Sequence, residues 1–189
     1  MTWRTPLAVI GLIVMLATPS RADVLIVPYL GQAFSGVISN AGAGRPTTYG
    51  VRAEWLVKGF VGVGVDFARL PDFLADAQGR VRESSLSTLM GNVIIGGPLP
   101  AQRGFRPYLS AGIGVLKYDL TRTNGLQASQ TDFGYNFGLG VSVLFSRHVG
   151  AELDLRYFRN TQDFTLGGLD FPEEILGYAR WSGGLVLRL

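Results

Sequence analysis

From residue 24 onward, apolar residues recur at every second position. Tyr49, Val51, Ala53, Trp55 and Val57 alternate with Gly50, Arg52, Glu54 and Leu56. Phe133, Tyr135, Phe137, Leu139, Val141 and Val143 alternate with Gly134, Asn136, Gly138, Gly140 and Ser142. Side chains of a strand point alternately to its two faces, so a period of two selects strands over helices. Eight segments carry the pattern, near 24–34, 48–57, 60–69, 85–96, 105–118, 132–145, 149–159 and 177–189. The first is apolar on both faces at its start, so its phase stays open.

The links between segments alternate in length. Lys58-Gly59, the Gly97-Pro98-Leu99-Pro100 stretch and Ser146-Arg147-His148 are short, whereas 35–47, 70–84, 119–131 and 160–176 are long. Short turns on one side and long loops on the other describe an antiparallel meander. In a barrel crossing an outer membrane the short turns are periplasmic. Ten or eleven residues at ~3.3 Å each, tilted by ~40°, cover the ~25 Å apolar band. The expected fold is all-β: an eight-stranded antiparallel up-and-down transmembrane β-barrel.

Cost decides which face meets lipid. One face holds Arg52, Glu54, Asp66, Glu152, Asp154, Arg156, Arg180 and Arg188; the other is apolar or glycine. An Arg turned to lipid near the midplane costs ~2–4 kcal/mol. Several would consume a typical stability of ~5–15 kcal/mol. The charged face is therefore expected inside, as a salt-bridge network with Asn92, Asn136 and Ser142 as hydrogen-bonding partners. The charged fraction of 16% fits a chain with one face of each strand given to lipid, against ~25% in soluble domains. Two alternatives stand beside this reading. Inward glycines such as Gly62, Gly112, Gly138 and Gly184 would leave room for water and a thin ion path. A lipocalin-like soluble barrel would put the apolar face inside. Against it, aromatics gather at strand ends as a membrane girdle does: Tyr49, Phe67, Phe133, Tyr135, Tyr157 and Trp181 toward the long loops, and Trp55, Phe105 and Phe145 toward the short turns.

Residues 1–22 read as a cleaved signal peptide ahead of the barrel domain, 23–189. Arg4 supplies the positive start, Leu7 to Ala17 the apolar run, and Ser20-Arg21-Ala22 the cleavage site before Asp23. That apolar run is well short of the ~20 residues a helical span needs. The chain has 17 Lys and Arg against 14 Asp and Glu. Loss of Arg4 and Arg21 reduces the excess from three to one. No basic cluster remains to meet nucleic acid. The absence of Cys excludes disulfide scaffolds and thiolate metal sites.

The mature chain resembles the small outer-membrane β-barrel family, of the OmpA transmembrane-domain and OmpX type, within the porin family. Four stretches carry the likeness: Pro107-Tyr108 with Ala111-Gly112-Ile113-Gly114; Phe137-Gly138-Leu139-Gly140; Glu152-Leu153-Asp154-Leu155-Arg156-Tyr157; and the alternating segment ending at Leu189. The resemblance implies a monomeric Gram-negative outer-membrane protein in contact with lipid and lipopolysaccharide, without cofactors, inserted by the barrel assembly machinery. That machinery reads a terminal aromatic residue, often Phe, in this family; Leu189 departs from the pattern. A peptidoglycan-binding domain like that of full-length OmpA-type proteins is not expected, since the alternating segment runs to Leu189.

The implied role is a non-enzymatic envelope scaffold whose loops serve adhesion or contact with host molecules. A narrow porin-like channel is the alternative. A lipid A deacylase needs a Ser with a His in reach, and the one His, His148, falls in a turn on the expected periplasmic side. Asp163, Asp170, Glu173 and Glu174 in the last long loop read as a solvated acidic loop rather than a calcium site. Arg69, Lys117 and Arg159 continue the outward phase at the long-loop ends. They form an expected cationic rim for lipopolysaccharide phosphates, with ordinary snorkelling as the plainer reading.

Overall fold

The computed structural model describes residues 22–34, 45–72, 81–122, 127–161, 164–166, 169–171 and 177–189. The strands are β1 (Ala22–Phe34), β2 (Thr47–Val57), β3 (Val61–Pro71), β4 (Val81–Gly96), β5 (Gly104–Arg122), β6 (Gln127–Leu144), β7 (Val149–Asn160), β8 (Phe164–Leu166), β9 (Leu169–Phe171) and β10 (Gly177–Arg188). Eight of them close a barrel in the order β1-β10-β7-β6-β5-β4-β3-β2, every neighbour antiparallel. The short β8 and β9 form a separate hairpin within the last long connection. Of the expected leader, only Ala22 is among the described residues, and it opens β1.

Closure has a definite stagger. The row Arg159–Tyr135–Ile113–Gly91–Val65–Ala53–Ile26–Leu187 returns to β7 at Val149, ten residues from its start. For eight strands this shear gives a tilt of about 40° and an interior that side chains can fill. The β2–β3 link spans three residues, Lys58 to Phe60, because Val57 pairs with Val61; it is one residue longer than the Lys58-Gly59 pair expected. Lys58 and Gly59 both have positive φ, 53° and 73°, and Phe60 N donates to Val57 O at 3.2 Å. Positive φ at both central residues makes this a type I′ turn, whose twist matches the strands it joins.

The faces sort as the cost of charge in lipid demands. Arg52, Glu54, Asp66, Glu152, Asp154, Arg156 and Arg180 are buried, whereas Val63, Leu109, Ile113, Phe137 and Leu153 are exposed. This excludes the lipocalin-like arrangement, which would have the reverse. The expected aromatic positions also lie on the outside, Tyr135 being half-exposed and the others more so.

Two long connections are shorter than expected. β4 starts at Val81, inside the expected loop 70–84. β5 runs on to Arg122 and β6 begins at Gln127, so the expected loop 119–131 is mostly strand. The alternation continues there with its sense inverted. Leu70, Leu86, Leu116 and Tyr118 turn inward, with Leu120 and Ala128 packed on them; Ser85, Asp119 and Ser129 occupy the outward phase. Beyond the lipid boundary the outside is water, so the polar set moves out and the apolar set moves in.

Candidate functional site

The barrel interior is layered. At the long-loop end Leu70, Leu86, Met90, Leu116, Phe158 and Tyr178 form one apolar cluster, with the Phe158 and Tyr178 rings stacked 4.7 Å apart. At the short-turn end Leu25, Val27, Leu56, Ile94, Leu144 and Val186 form another. Leu99, from the β4–β5 turn, packs against this second cluster. That turn is strapped down: Arg188 Nη1 donates to Pro100 O at 2.9 Å, and Arg106 Nε donates to Gly97 O and Gly59 O at 3.0 and 3.1 Å.

Between the clusters lies the charge. Arg52 on β2 is the hub. Its Nη1 donates to Glu152 at 2.5 Å and to the Tyr108 hydroxyl at 2.9 Å, and its Nε to Asp66 at 3.2 Å. Asp154 and Glu54 stand 3.3 and 3.6 Å from its Nη atoms. Arg180 on β10 donates to Asp66 at 3.0 Å and to the Tyr29 hydroxyl at 2.9 Å. Arg156 on β7 holds Asp154 at 3.2 Å and donates to Asn92 and Asn136 at 3.1 and 3.4 Å. Ser142 donates to Glu152 at 2.9 Å.

Two tyrosines complete the layer. Tyr29 accepts from Arg180 and donates to Asp66 at 2.8 Å; Tyr108 accepts from Arg52 and donates to Asp154 at 2.8 Å. The Tyr29 ring also lies 4.7 Å from the Arg180 guanidinium, within cation–π range. Each hydroxyl thus links a cation on one strand to an anion on another. Buried charge is tolerated when it is paired and its remaining hydrogen-bonding capacity is met.

Of the eight expected interior charges, seven converge. Arg188 lies apart, half-buried near the short-turn end, where it pairs with Asp23 at 2.6 Å. Arg106, fully buried on β5, takes its place in the interior set. Four cations, Arg52, Arg106, Arg156 and Arg180, then face four anions, Glu54, Asp66, Glu152 and Asp154. Arg106 and Tyr108 share the inward phase of Ser110 and Gly112, which was the signal available in the sequence. Neither carboxylate oxygen of Glu54 and neither Nη of Arg106 has a hydrogen-bond partner among the described residues.

At the inward glycines, the space beside the backbone is taken up by neighbouring atoms. A Cβ on Gly50 would overlap the Tyr29 hydroxyl, one on Gly140 the Tyr108 hydroxyl, and one on Gly114 Met90. A Cβ on Gly138 would press on Ser110 Oγ and Arg156 Nε, at 2.6 and 3.0 Å. Each glycine is the gap into which a neighbouring large residue folds.

The three expected rim cations are exposed on the outer surface. Arg69 and Lys117 share one outward row, with Ser87 between them. Arg159 belongs to a different row, beside Tyr135 and Gly177. His148 is exposed in the β6–β7 turn, its carbonyl accepting from Arg188 N at 2.9 Å. Asp170 lies in β9; the side chain of Asp170, and all of Asp163, Glu173 and Glu174, lie outside what is described.

A closed antiparallel barrel with charge inside and an apolar belt outside defines an integral outer-membrane protein of Gram-negative bacteria. A family model for the outer membrane protein beta-barrel domain matches residues 8–185, and the chain belongs to that family. No curated protein sequence matches it. Solved structures do. Neisserial surface protein A is 16% identical with a TM-score of 0.64, over 89% of this chain and 97% of that one. The N-terminal β-barrel domain of Pseudomonas aeruginosa OprF is 17% identical with a TM-score of 0.60, over 88% and 97%. Ail, the attachment invasion locus protein of Yersinia pestis, solved with the heparin analogue sucrose octasulfate, is 10% identical with a TM-score of 0.56, over 89% and 98%. Identities this low carry the fold alone.

Proposed function

We propose that this barrel is a closed, non-enzymatic, monomeric scaffold of the outer membrane. Residues 1–22 direct its export. Its short turns lie in the periplasm and its long-loop end faces outward, where it meets lipopolysaccharide and host or surface ligands. One observation supports a scaffold over a pore: the charged layer is capped at both ends by apolar side chains, and the inward glycines are filled by Tyr29, Tyr108 and Met90. An ion crossing the lumen would have to shed water in two apolar layers, at a cost of several kcal/mol or more.

Recording from the purified protein in planar bilayers tests this. No discrete conductance steps are expected. Steps that disappear when Arg52 and Arg106 are neutralised would overturn the scaffold reading in favour of a narrow channel. The unbonded Glu54 and Arg106 atoms favour that second reading, because such groups need water, but Arg106 is tied to the carbonyls of Gly59 and Gly97 and Leu99 packs on the apolar cluster at that same end. The outward role is tested by comparing adhesion and permeability of a deletion strain with its parent.

A further inference from the structure

The outer surface of β3 to β6 changes chemistry in steps from the membrane core toward the long loops. Lowest is a shallow groove of about 630 Å³ floored by Gly91 and Ala111 and walled by Val63, Val93, Ile113 and Phe137. A Cβ on Gly91 would find its nearest atom at 3.8 Å, so this glycine, unlike the inward ones, opens onto free space. Above it runs the apolar row Phe67–Leu89–Val115–Phe133. The next outward row is Tyr49–Arg69–Ser87–Lys117–Thr131. Above that, a polar depression of about 490 Å³ is lined by Arg69, Ser85, Asp119, Thr121, Gln127 and Ser129.

We infer that the β3–β6 face docks one phosphorylated glycolipid of the outer leaflet: acyl chain in the Gly91 groove, phosphate between Arg69 and Lys117, and sugar among the hydroxyls above. The inference rests on the outward orientation of the long loops. The apolar groove lies at the height of the acyl chains, and the cations and hydroxyl-rich depression above it lie at the height of the phosphorylated sugar headgroup to which those chains are joined. Arg69 and Lys117 select a phosphate, and Asp72 and Asp119 at the depression above them are acceptors for sugar hydroxyls. Arg69 and Lys117 stand two strands apart, about 10 Å between backbones, with the small Ser87 between them in the register. Arg forks onto phosphate oxygens and Lys adds a point charge. Lys117 lies 3.6 Å from Asp119, with both side chains about half exposed. An exposed pair of this kind contributes little and yields readily to a phosphate. Arg159, on a different row, is outside the site.

Native mass spectrometry of the detergent-purified protein reads the outcome, with bis-phosphorylated lipid A, dephosphorylated lipid A and phosphatidylglycerol as the added probes. Wild type is expected to retain one bis-phosphorylated molecule and to lose at least about tenfold in retention when the phosphates are removed. Arg69→Gln with Lys117→Gln should match that loss, and Gly91→Leu, which fills the groove without touching charge, should lower retention as well. Arg159→Gln should leave it unchanged. The heat-dependent gel shift of a folded barrel confirms that each variant is folded. Equal retention of phosphatidylglycerol, or retention insensitive to Arg69 and Lys117, overturns the inference. Surface labelling of the long loops tests orientation separately, so failure of that reading is told apart from failure of the lipid site.

Discussion

The Tyr108 hydroxyl donates to Asp154 at 2.8 Å, joining β5 to β7 across the lumen. The same oxygen accepts from Arg52 of β2 at 2.9 Å, so one phenol braces three strands. Removing it leaves two buried charged groups each short of a partner. Tyr108→Phe is expected to cost about 1–3 kcal/mol, measured by urea unfolding of the barrel in detergent or lipid vesicles.

Arg52 faces four carboxylates within 3.6 Å. Its loss would leave buried anions uncompensated, so Arg52→Met should cost about 3–5 kcal/mol. Neutralising its nearest partner as well, in Arg52→Met with Glu152→Gln, should recover a large part of that loss. A double variant no more stable than Arg52→Met would show that the charges are not coupled in this way.

Glycines of the two faces should respond oppositely to one methyl group. Gly140→Ala drives a Cβ into the Tyr108 hydroxyl and should destabilise by about 1–3 kcal/mol, as overpacking does. Gly91→Ala meets open space and should be neutral or slightly stabilising. The pair of unfolding midpoints checks the claim that inward glycines are occupied by their neighbours.

The lipid boundary on β4 and β5 lies between the Leu89–Val115 row and the Ser87–Lys117 row. Ile113→Arg, at a strongly exposed position within the band, should cost about 2–4 kcal/mol, whereas Ser87→Arg should cost about 1 kcal/mol or less. Equal penalties for the two would misplace the boundary.

Lys58 adopts a φ of 53° in the type I′ turn, a region an L-residue enters at some cost and glycine or asparagine enters readily. Lys58→Gly or Lys58→Asn should raise stability by a few tenths to about 1 kcal/mol, read from the same unfolding curves.

The sequence by itself determined the strands and their faces. A period of two with charge on one side admits only one arrangement in lipid, because a single misplaced Arg costs as much as a large part of the stability. Arg52, Asp66, Glu152 and Arg180 could therefore be placed inside from their phase alone. Alternation also persisted past Lys117, but with its sense inverted where water replaces lipid, and that stretch read as loop.

Tertiary structure alone decided who meets whom. Arg52 and Glu152 lie a hundred residues apart, and their meeting depends on ring closure with a shear of ten, which no local pattern encodes. The same closure sets Arg188 at the rim with Asp23 and puts Arg106 in the interior. It also folds Tyr29 and Tyr108 over Gly50 and Gly140. Phase tells which face a side chain takes; the stagger of the closed barrel sets its height and its partner.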